Sequence, residues 1–357
     1  MTNIDITRQR LYNQRLRHTT FTQPGEVVQW LGAMQAQDYA GAKWAIAQRA
    51  LGLTDAALDQ ALADGTILRT HILRPTWHFV TPADIRWMLQ LTAPRVNALN
   101  AYHYRKQELD DAVFKQSNAV LTKSLRGGQQ LTRAELAAAL HRAGIVTDEL
   151  RSALLLMRAE LDGVVCSGAR RGKQFTYALL EERVPPVPPR TKDEALAELS
   201  TRYLLSRGPA TVQDFVWWSG LTTSEAKTGI EMVQSQFHRE AINKQTYWFP
   251  AHAPTTRTKT PLAHLLATYD EYLIGYKDRS AAVNPALAER IVGGEVFTST
   301  IVLDGQVIGV WKRTLKARSV SIATTFFTTL TKAQSQAVAA AAQQYATFLH
   351  LPLAQEN

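Results

Sequence analysis

Met34-Gln35-Ala36-Gln37-Asp38-Tyr39 sets two uncharged amides at i and i+2, with a carboxylate beside them. The segment lies at the foot of an apolar helix and just before Ala42-Lys43-Trp44-Ala45. A carboxamide donates and accepts hydrogen bonds at once, so the pair can fix a water or a sugar oxygen without acting as a strong base. That suits a reaction whose leaving group already departs easily. The plainer reading makes Gln35 and Gln37 ordinary helix-end amides bonding stray carbonyls. Asp38 is either a third member of the site, or a cap for the next helix or a partner for Lys43. Trp77 and His78 are adjacent in a strand and so face opposite ways, one into the core and one toward a cleft. Arg170, Arg171 and Lys173 crowd a glycine-flanked tip, where guanidinium forks suit phosphate; Lys312 and Arg313 after a second hairpin offer the same. Asp270, Glu271 and Arg279 form a charge-rich group without metal-ligand spacing, and an ion-pair network bracing the C-terminal region is expected there.

These residues sit in a chain of 357 residues, long enough for two to four modules. Hydrophobic residues make up 45% of it, which supplies ample core. The net charge of +9 favours an anionic partner such as nucleic acid, although mild basicity alone is common. One cysteine, Cys166, rules out an intrachain disulfide framework and paired-cysteine zinc modules. With no charged-then-apolar leader and no apolar run of membrane length, a cytoplasmic, nucleoid-associated chain is expected, away from membranes.

The elements that must position the site recur as a pattern: two or three short amphipathic helices, then a hairpin with polar or basic residues. In the first copy Pro24 to Ala36 reads as a helix with Val27, Val28, Leu31 and Met34 on one face, followed by a helix over Ala42 to Ala50. Thr54 caps a third, which ends at Gly65. Strands over Ile67 to Ile72 and Trp77 to Val80 flank Leu73-Arg74-Pro75-Thr76. The second copy opens on a capping box, Thr132 with Glu135, and Asp148 to Asp162 supplies its next helix, with Leu150, Leu154, Met157 and Leu161 inward. Val184-Pro185-Pro186-Val187-Pro188-Pro189 is a stiff connector. In the third copy Asp193 caps a helix to Ser206, Thr211 caps Val212 to Trp218, and Thr223 caps a helix through Gln234. Strands over Phe237 to Ile242 and Tyr247 to Pro250 follow. Beyond Pro261 the character changes: Thr300 to Leu303 and Val307 to Arg313 flank Asp304-Gly305, a strong hairpin signal. Ser319 to Thr325 reads as a strand and Lys332 to Leu349 as a terminal helix. Trp217, Trp218 and Trp311 are read as packing residues.

Three helices plus a hairpin, repeated, is the winged-helix plan. The expected class is α+β, with tandem winged-helix modules over 1–125, 126–190 and 191–260 and a small α+β domain over 261–357.

The arrangement resembles the winged-helix DNA glycosylases of AlkZ and YcaQ type. The match is carried by Leu31 to Tyr39 with Ala42 to Ala45, by Arg74 to Val80, and by Tyr269 to Tyr272 with Gly275 to Arg279. Val302 to Gly305 with Gly309 to Trp311 completes it. These blocks span nearly the whole chain in the family's order. The resemblance implies a C-shaped body with a concave basic DNA channel, removal of bulky N7-alkylated or crosslinked guanines, in some members for antibiotic self-resistance, and no metal or organic cofactor. The family's Gln–apolar–Gln motif falls on Gln35, Ala36 and Gln37, which favours the AlkZ type; Asp38 comes one place later than the acid of the YcaQ type.

Under that resemblance the chemistry is consistent. An N7-alkylguanine is cationic, leaves as a neutral base and needs no general acid. One glutamine can orient the attacking water while the other holds the sugar or its phosphate. The expectation is a monofunctional, monomeric glycosylase acting on double-stranded DNA with alkylated bases. Catalysis is assigned to Gln35, Gln37 and Asp38, DNA contact to Arg170, Arg171, Lys173, Lys312 and Arg313, and a substrate pocket to Trp77, His78 and Lys43. The alternative is a non-enzymatic winged-helix DNA-binding protein or transcriptional regulator.

Overall fold

In the computed structural model, residues 2–242, 244–251, 260–293 and 296–354 are described. Helices and antiparallel sheets alternate in a mixed α+β arrangement. The N-terminal part runs α1 (Asn3–Asn13), α2 (Pro24–Leu31), β1 (Met34–Gln35), α3 (Tyr39–Ala47), α4 (Asp55–Asp64), β2 (Leu68–Ile72) and β3 (Arg74–Val80). Pro24 at the first turn and a Gln23–Glu26 capping box start α2, whose Val27, Val28 and Leu31 are buried. The helix expected to reach Ala36 stops at Leu31, because Gly32 takes φ +76° and turns the chain out. Met34 and Gln35 then pair with β3 as an edge strand, opposite Phe79 and His78 respectively. The two glutamines therefore lie on and just beyond a strand, not at a helix end. The next helix starts at Tyr39 and ends at Ala47, three residues earlier than expected at each end. Thr54 and Gly65 bound α4 as expected, Gly65 with φ +78°. The β2–β3 turn is tighter than expected, with Leu73 at φ +63° and β3 beginning at Arg74.

Two long helices that the repeat left unassigned, α5 (Pro82–Lys106) and α6 (Asp111–Leu125), lead to β4 (Leu131–Thr132), α7 (Arg133–Arg142), α8 (Glu149–Leu161), β5 (Val165–Ser167) and β6 (Thr176–Leu179). The Thr132–Glu135 capping box is present and Asp148 caps α8. Leu154 and Leu161 are buried, but Leu150, in the first turn of α8, is 49% exposed rather than inward. After the short α9 (Leu180–Arg183) come α10 (Lys192–Arg207), α11 (Val212–Ser219), α12 (Thr223–Val233), β7 (Phe237–Ile242) and β8 (Gln245–Pro250). The caps of α10 and α12 are Thr191 and Thr222, not Asp193 and Thr223. Each hydroxyl closes a capping box with the glutamate three residues on, Glu194 and Glu225.

The C-terminal part comprises β9 (Ala263–Leu266), α13 (Glu271–Ile274), α14 (Ala288–Ile291), β10 (Val292–Gly293), β11 (Val296–Phe297), β12 (Thr300–Leu303), β13 (Gln306–Lys316), β14 (Ser319–Phe326) and α15 (Lys332–Phe348). Its main sheet has the order β14-β13-β12-β9. Asp304 and Gly305 both take positive φ, as a two-residue hairpin turn of type I′ requires. β12 pairs with β13 as far as Val310 and the Trp311 N–H still bonds the Ser299 carbonyl, so Lys312 to Lys316 pair with β14 alone and form a two-stranded ribbon.

One core unites Val27 to Phe79 with Ala263 to Phe348, and a second joins β2, β3 and α5 to α10, α11 and α12. Two fully buried ion pairs tie these parts together. Arg49 holds Asp270 through two bonds of 2.9 and 2.7 Å, and Arg207 holds Glu271 at 2.6 and 3.1 Å. The acids therefore brace the C-terminal part against the turn that follows α3 and against α10, rather than bracing it internally. Arg279 lies apart from both pairs, its Nε donating to the Leu273 carbonyl.

Candidate active site

The Gln35–Asp38 segment is held by its backbone, leaving both carboxamides free. The Gln35 N–H donates to Glu271 Oε1 at 2.9 Å, and the Ala36 N–H to the Trp77 carbonyl at 2.7 Å. The Arg69 Nε donates to the Ala36 carbonyl at 3.0 Å. Upstream, Arg207 grips the carbonyls of Leu31 and Ala33 at 2.7 and 3.0 Å. Arg207 and Glu271 together thus splint the chain from Leu31 to Gln35. Gln35 is half-buried and Gln37 exposed, and among the described residues neither carboxamide makes a hydrogen bond. Amides fixed at the backbone and unspent at the tip are available to a substrate.

Asp38 caps α3, its Oδ1 accepting from the Gly41 N–H at 3.2 Å. A Cβ on Gly41 would lie 2.5 Å from Asp38 Oδ2, so the cap requires glycine there. Lys43 is not Asp38's partner. It is buried against α4, with Nζ 2.8 Å from Asp55 and 3.0 Å from Asp59, which removes it from the expected substrate pocket. The α3–α4 packing that buries its stem also supplies both carboxylates.

Two open clefts involve the segment or the residues that hold it. One, of about 690 Å³, is lined by Arg69, Trp77, Phe175, Tyr177, Lys173 and the start of α7. The Arg69 guanidinium lies 4.3 Å from the ring centres of both Trp77 and Phe175. Burial lowers the Arg69 pKa to about 10, still charged at neutral pH. The other cleft, of about 370 Å³, brings Asp38 together with Trp311, Lys312, Arg313 and Thr268. Asp38 lines the smaller cleft, and the larger one reaches the motif through Arg69 and Trp77, which bond the Ala36 backbone.

Of the Trp77–His78 pair, Trp77 lines the larger cleft and His78 is buried. His78 therefore cannot line an open pocket; it stands behind Gln35, its cross-strand neighbour. Burial, reinforced by the Arg74 guanidinium, holds its imidazole well below the usual histidine range. At the β5–β6 tip, two of the three expected phosphate ligands are already engaged. Arg170 stacks on Tyr39 and reaches Asp59 at 3.5 Å, while Arg171 bonds Glu135 at 2.8 Å and the Gln130 carbonyl at 2.9 Å. Lys173 is exposed on the larger cleft. Lys312 is exposed, and the Arg313 Nη1 donates to the Tyr345 hydroxyl. Trp218 and Trp311 are buried as expected, whereas Trp217 is 40% exposed with its Nε1 bonded to the Ile274 carbonyl.

Sequence reasoning missed the supports: Arg69, Arg207, and the hold of Glu271 on Gln35. A charge in a fully buried strand, as Arg69 is in β2, signals a buried partner, but sequence does not show which one.

The AlkZ-like DNA glycosylase family model matches residues 28–348. The chain belongs to that family. It is accordingly an enzyme, a DNA glycosylase that hydrolyses N-glycosyl bonds, and the regulator alternative falls away. Among curated proteins it is similar to an interstrand DNA cross-link repair glycosylase of Streptomyces sahachiroi, 26% identical over 327 residues and covering 85% of each chain. Among solved structures it resembles the Streptomyces sahachiroi DNA glycosylase AlkZ, with a TM-score of 0.81 and 21% identity over 99% of both chains. The second likeness shows the shared fold. No described helix of the glycosylase is long and apolar enough to cross a membrane.

Proposed function

We propose that the enzyme is a monofunctional glycosylase hydrolysing the N-glycosidic bond of N7-alkylated, cationic purines in duplex DNA, with Gln35 and Gln37 as the catalytic pair. The observation that carries this reading is that both carboxamides are unspent while their backbone is held by Glu271, Arg69 and Trp77. Breaking the C1′–N bond develops an oxocarbenium ion, and a cationic base leaves without protonation. What remains for the protein is to place a water in line, which fixed amides can do and which is worth several kcal/mol. Asp38 lies near enough to add negative charge, but its first role is to cap α3 and so fix the segment's exit.

Lys43 is the amine nearest the motif in sequence, and its Nζ is buried against the carboxylates of Asp55 and Asp59. That disfavours a Schiff-base route. The curated relative is named for interstrand cross-link repair. The larger cleft beside the motif fits a bulky adduct of the kind such a role would entail. We read the three helix-and-hairpin units as winged helices in a C-shaped body, with Lys173, Lys312 and Arg313 meeting backbone phosphates. Duplexes carrying 7-methylguanine, uracil or no lesion test the reading, scored for abasic sites. Release confined to the cationic base is expected; comparable turnover on uracil would overturn the reading.

A further inference from the structure

His78 lies where it can govern the catalytic amide. Antiparallel register sets Gln35 opposite His78, and His78 opposite Thr70 on β2, so the three side chains share one face. The Gln35 N–H turns away from β3 to Glu271, while the next residue, Ala36, bonds back to Trp77. Gln35 and His78 are therefore a pair without mutual backbone bonds, the kind in which side chains approach most closely. The His78 Nδ1 lies 2.9 Å from the Thr76 carbonyl, which can only accept. Nδ1 therefore carries the proton, and Nε2 is a bare acceptor. That Nε2 is buried and has no hydrogen-bond partner, and neither has the Thr70 hydroxyl beside it.

We propose that His78 is the positioning residue of Gln35: its Nε2 accepts a hydrogen bond from the Gln35 carboxamide N–H once DNA is bound, turning the amide oxygen toward the attacking water. This rests on the catalytic role proposed above for Gln35. The two ends of a carboxamide are nearly equal in size and opposite in polarity, so a freely rotating Gln35 offers the water a donor about as readily as an acceptor. A fixed acceptor on one side removes that degeneracy. The Gln35 Oε1 then accepts from the water, leaving the water's lone pair aimed at C1′. His78 itself touches neither base nor sugar.

The experiment is single-turnover release of 7-methylguanine from duplex DNA, with affinity and melting temperature measured alongside. His78→Phe keeps an aromatic ring but removes the acceptor; it should slow release roughly ten- to a hundredfold with affinity unchanged. His78→Leu is the second apolar variant should the phenyl ring not fit. His78→Gln can return an acceptor near the Nε2 position and should stay within about threefold of the wild type. In a Gln35→Ala background, His78→Phe should add nothing, because the group it positions is gone. Full activity of the folded apolar variants would overturn the proposal. An equal loss in His78→Gln, or the same fold-loss in the Gln35→Ala background, would do so too. Should Gln35→Ala itself release the base at the wild-type rate, the catalytic reading of Gln35 fails instead.

Discussion

Replacing Glu271 tests whether the segment carrying the glutamines is held as described. Its carboxylate, 1% exposed, accepts from four donors: the Gln35 N–H, Arg207 Nε and Nη2, and Trp218 Nε1 at 3.0 Å. Arg207 is fully buried, so Glu271→Ala strands a guanidinium charge out of water. Removing one partner of such a pair costs about 3–5 kcal/mol. At about 2 °C per kcal/mol for a chain of this size, the melting temperature should fall by roughly 6–10 °C. Adding Arg207→Met removes the orphaned charge and should restore much of that loss. It should not restore catalysis, because the Leu31 and Ala33 carbonyls and the Gln35 N–H all lose their anchors. Differential scanning calorimetry and single-turnover release on 7-methylguanine duplex separate the two effects. A Glu271→Ala variant melting within about 2 °C of the wild type would refute the buried-pair reasoning. A double variant with full activity would refute the splint.

Gly41→Ala should lower melting by about 2 °C and slow release, since its Cβ would displace the Asp38 carboxylate, a cap worth about 1 kcal/mol; thermal melts and kinetics of the variant check this. Burial, then the nearby Arg49 charge, lowers the His264 pKa from 6.5 to about 4. The folded state therefore resists its protonation. Stability should be full above pH 6.5 and decline as pH falls from there to about 4, by roughly 3 kcal/mol from this residue, as read by urea titrations with a His264→Gln control. Lys173→Ala and Lys312→Ala should each reduce the salt-dependence slope of DNA binding by about one, whereas Arg171→Ala, already paired with Glu135, should leave it unchanged. Borohydride trapping should yield no covalent adduct with lesion DNA, measured by gel shift, because Asp55 and Asp59 hold the Lys43 amine.

Local chemistry was the most legible part of the chain. Thr54, Thr132, Asp148, Thr211 and the Asp304-Gly305 turn all do what their residue types announce, because caps and tight turns are decided within four residues. The Gln-Ala-Gln motif was found in sequence, but its backbone was misread. Apolar spacing carries α2 smoothly through Met34, and only Gly32, with its positive φ, diverts the chain into a strand whose partner lies over forty residues away. Long-range pairing decided what stayed hidden. Nothing near Lys43 shows that α4 folds back with two carboxylates, and nothing near Arg171 shows that Glu135 reaches it. The slips from Asp193 to Thr191 and from Thr223 to Thr222 have a simpler cause: two capping residues stand within two positions of each other, and the glutamate three places beyond the first selects it.

The most direct test of neutral-amide catalysis is single-turnover release of 7-methylguanine by the Gln35→Ala, Gln37→Ala double variant, with its melting curve recorded beside the wild type. A well-folded protein slowed by at least about a hundredfold is expected, since only the positioning of water has been removed. Release at the wild-type rate would place the reaction centre elsewhere in the fold.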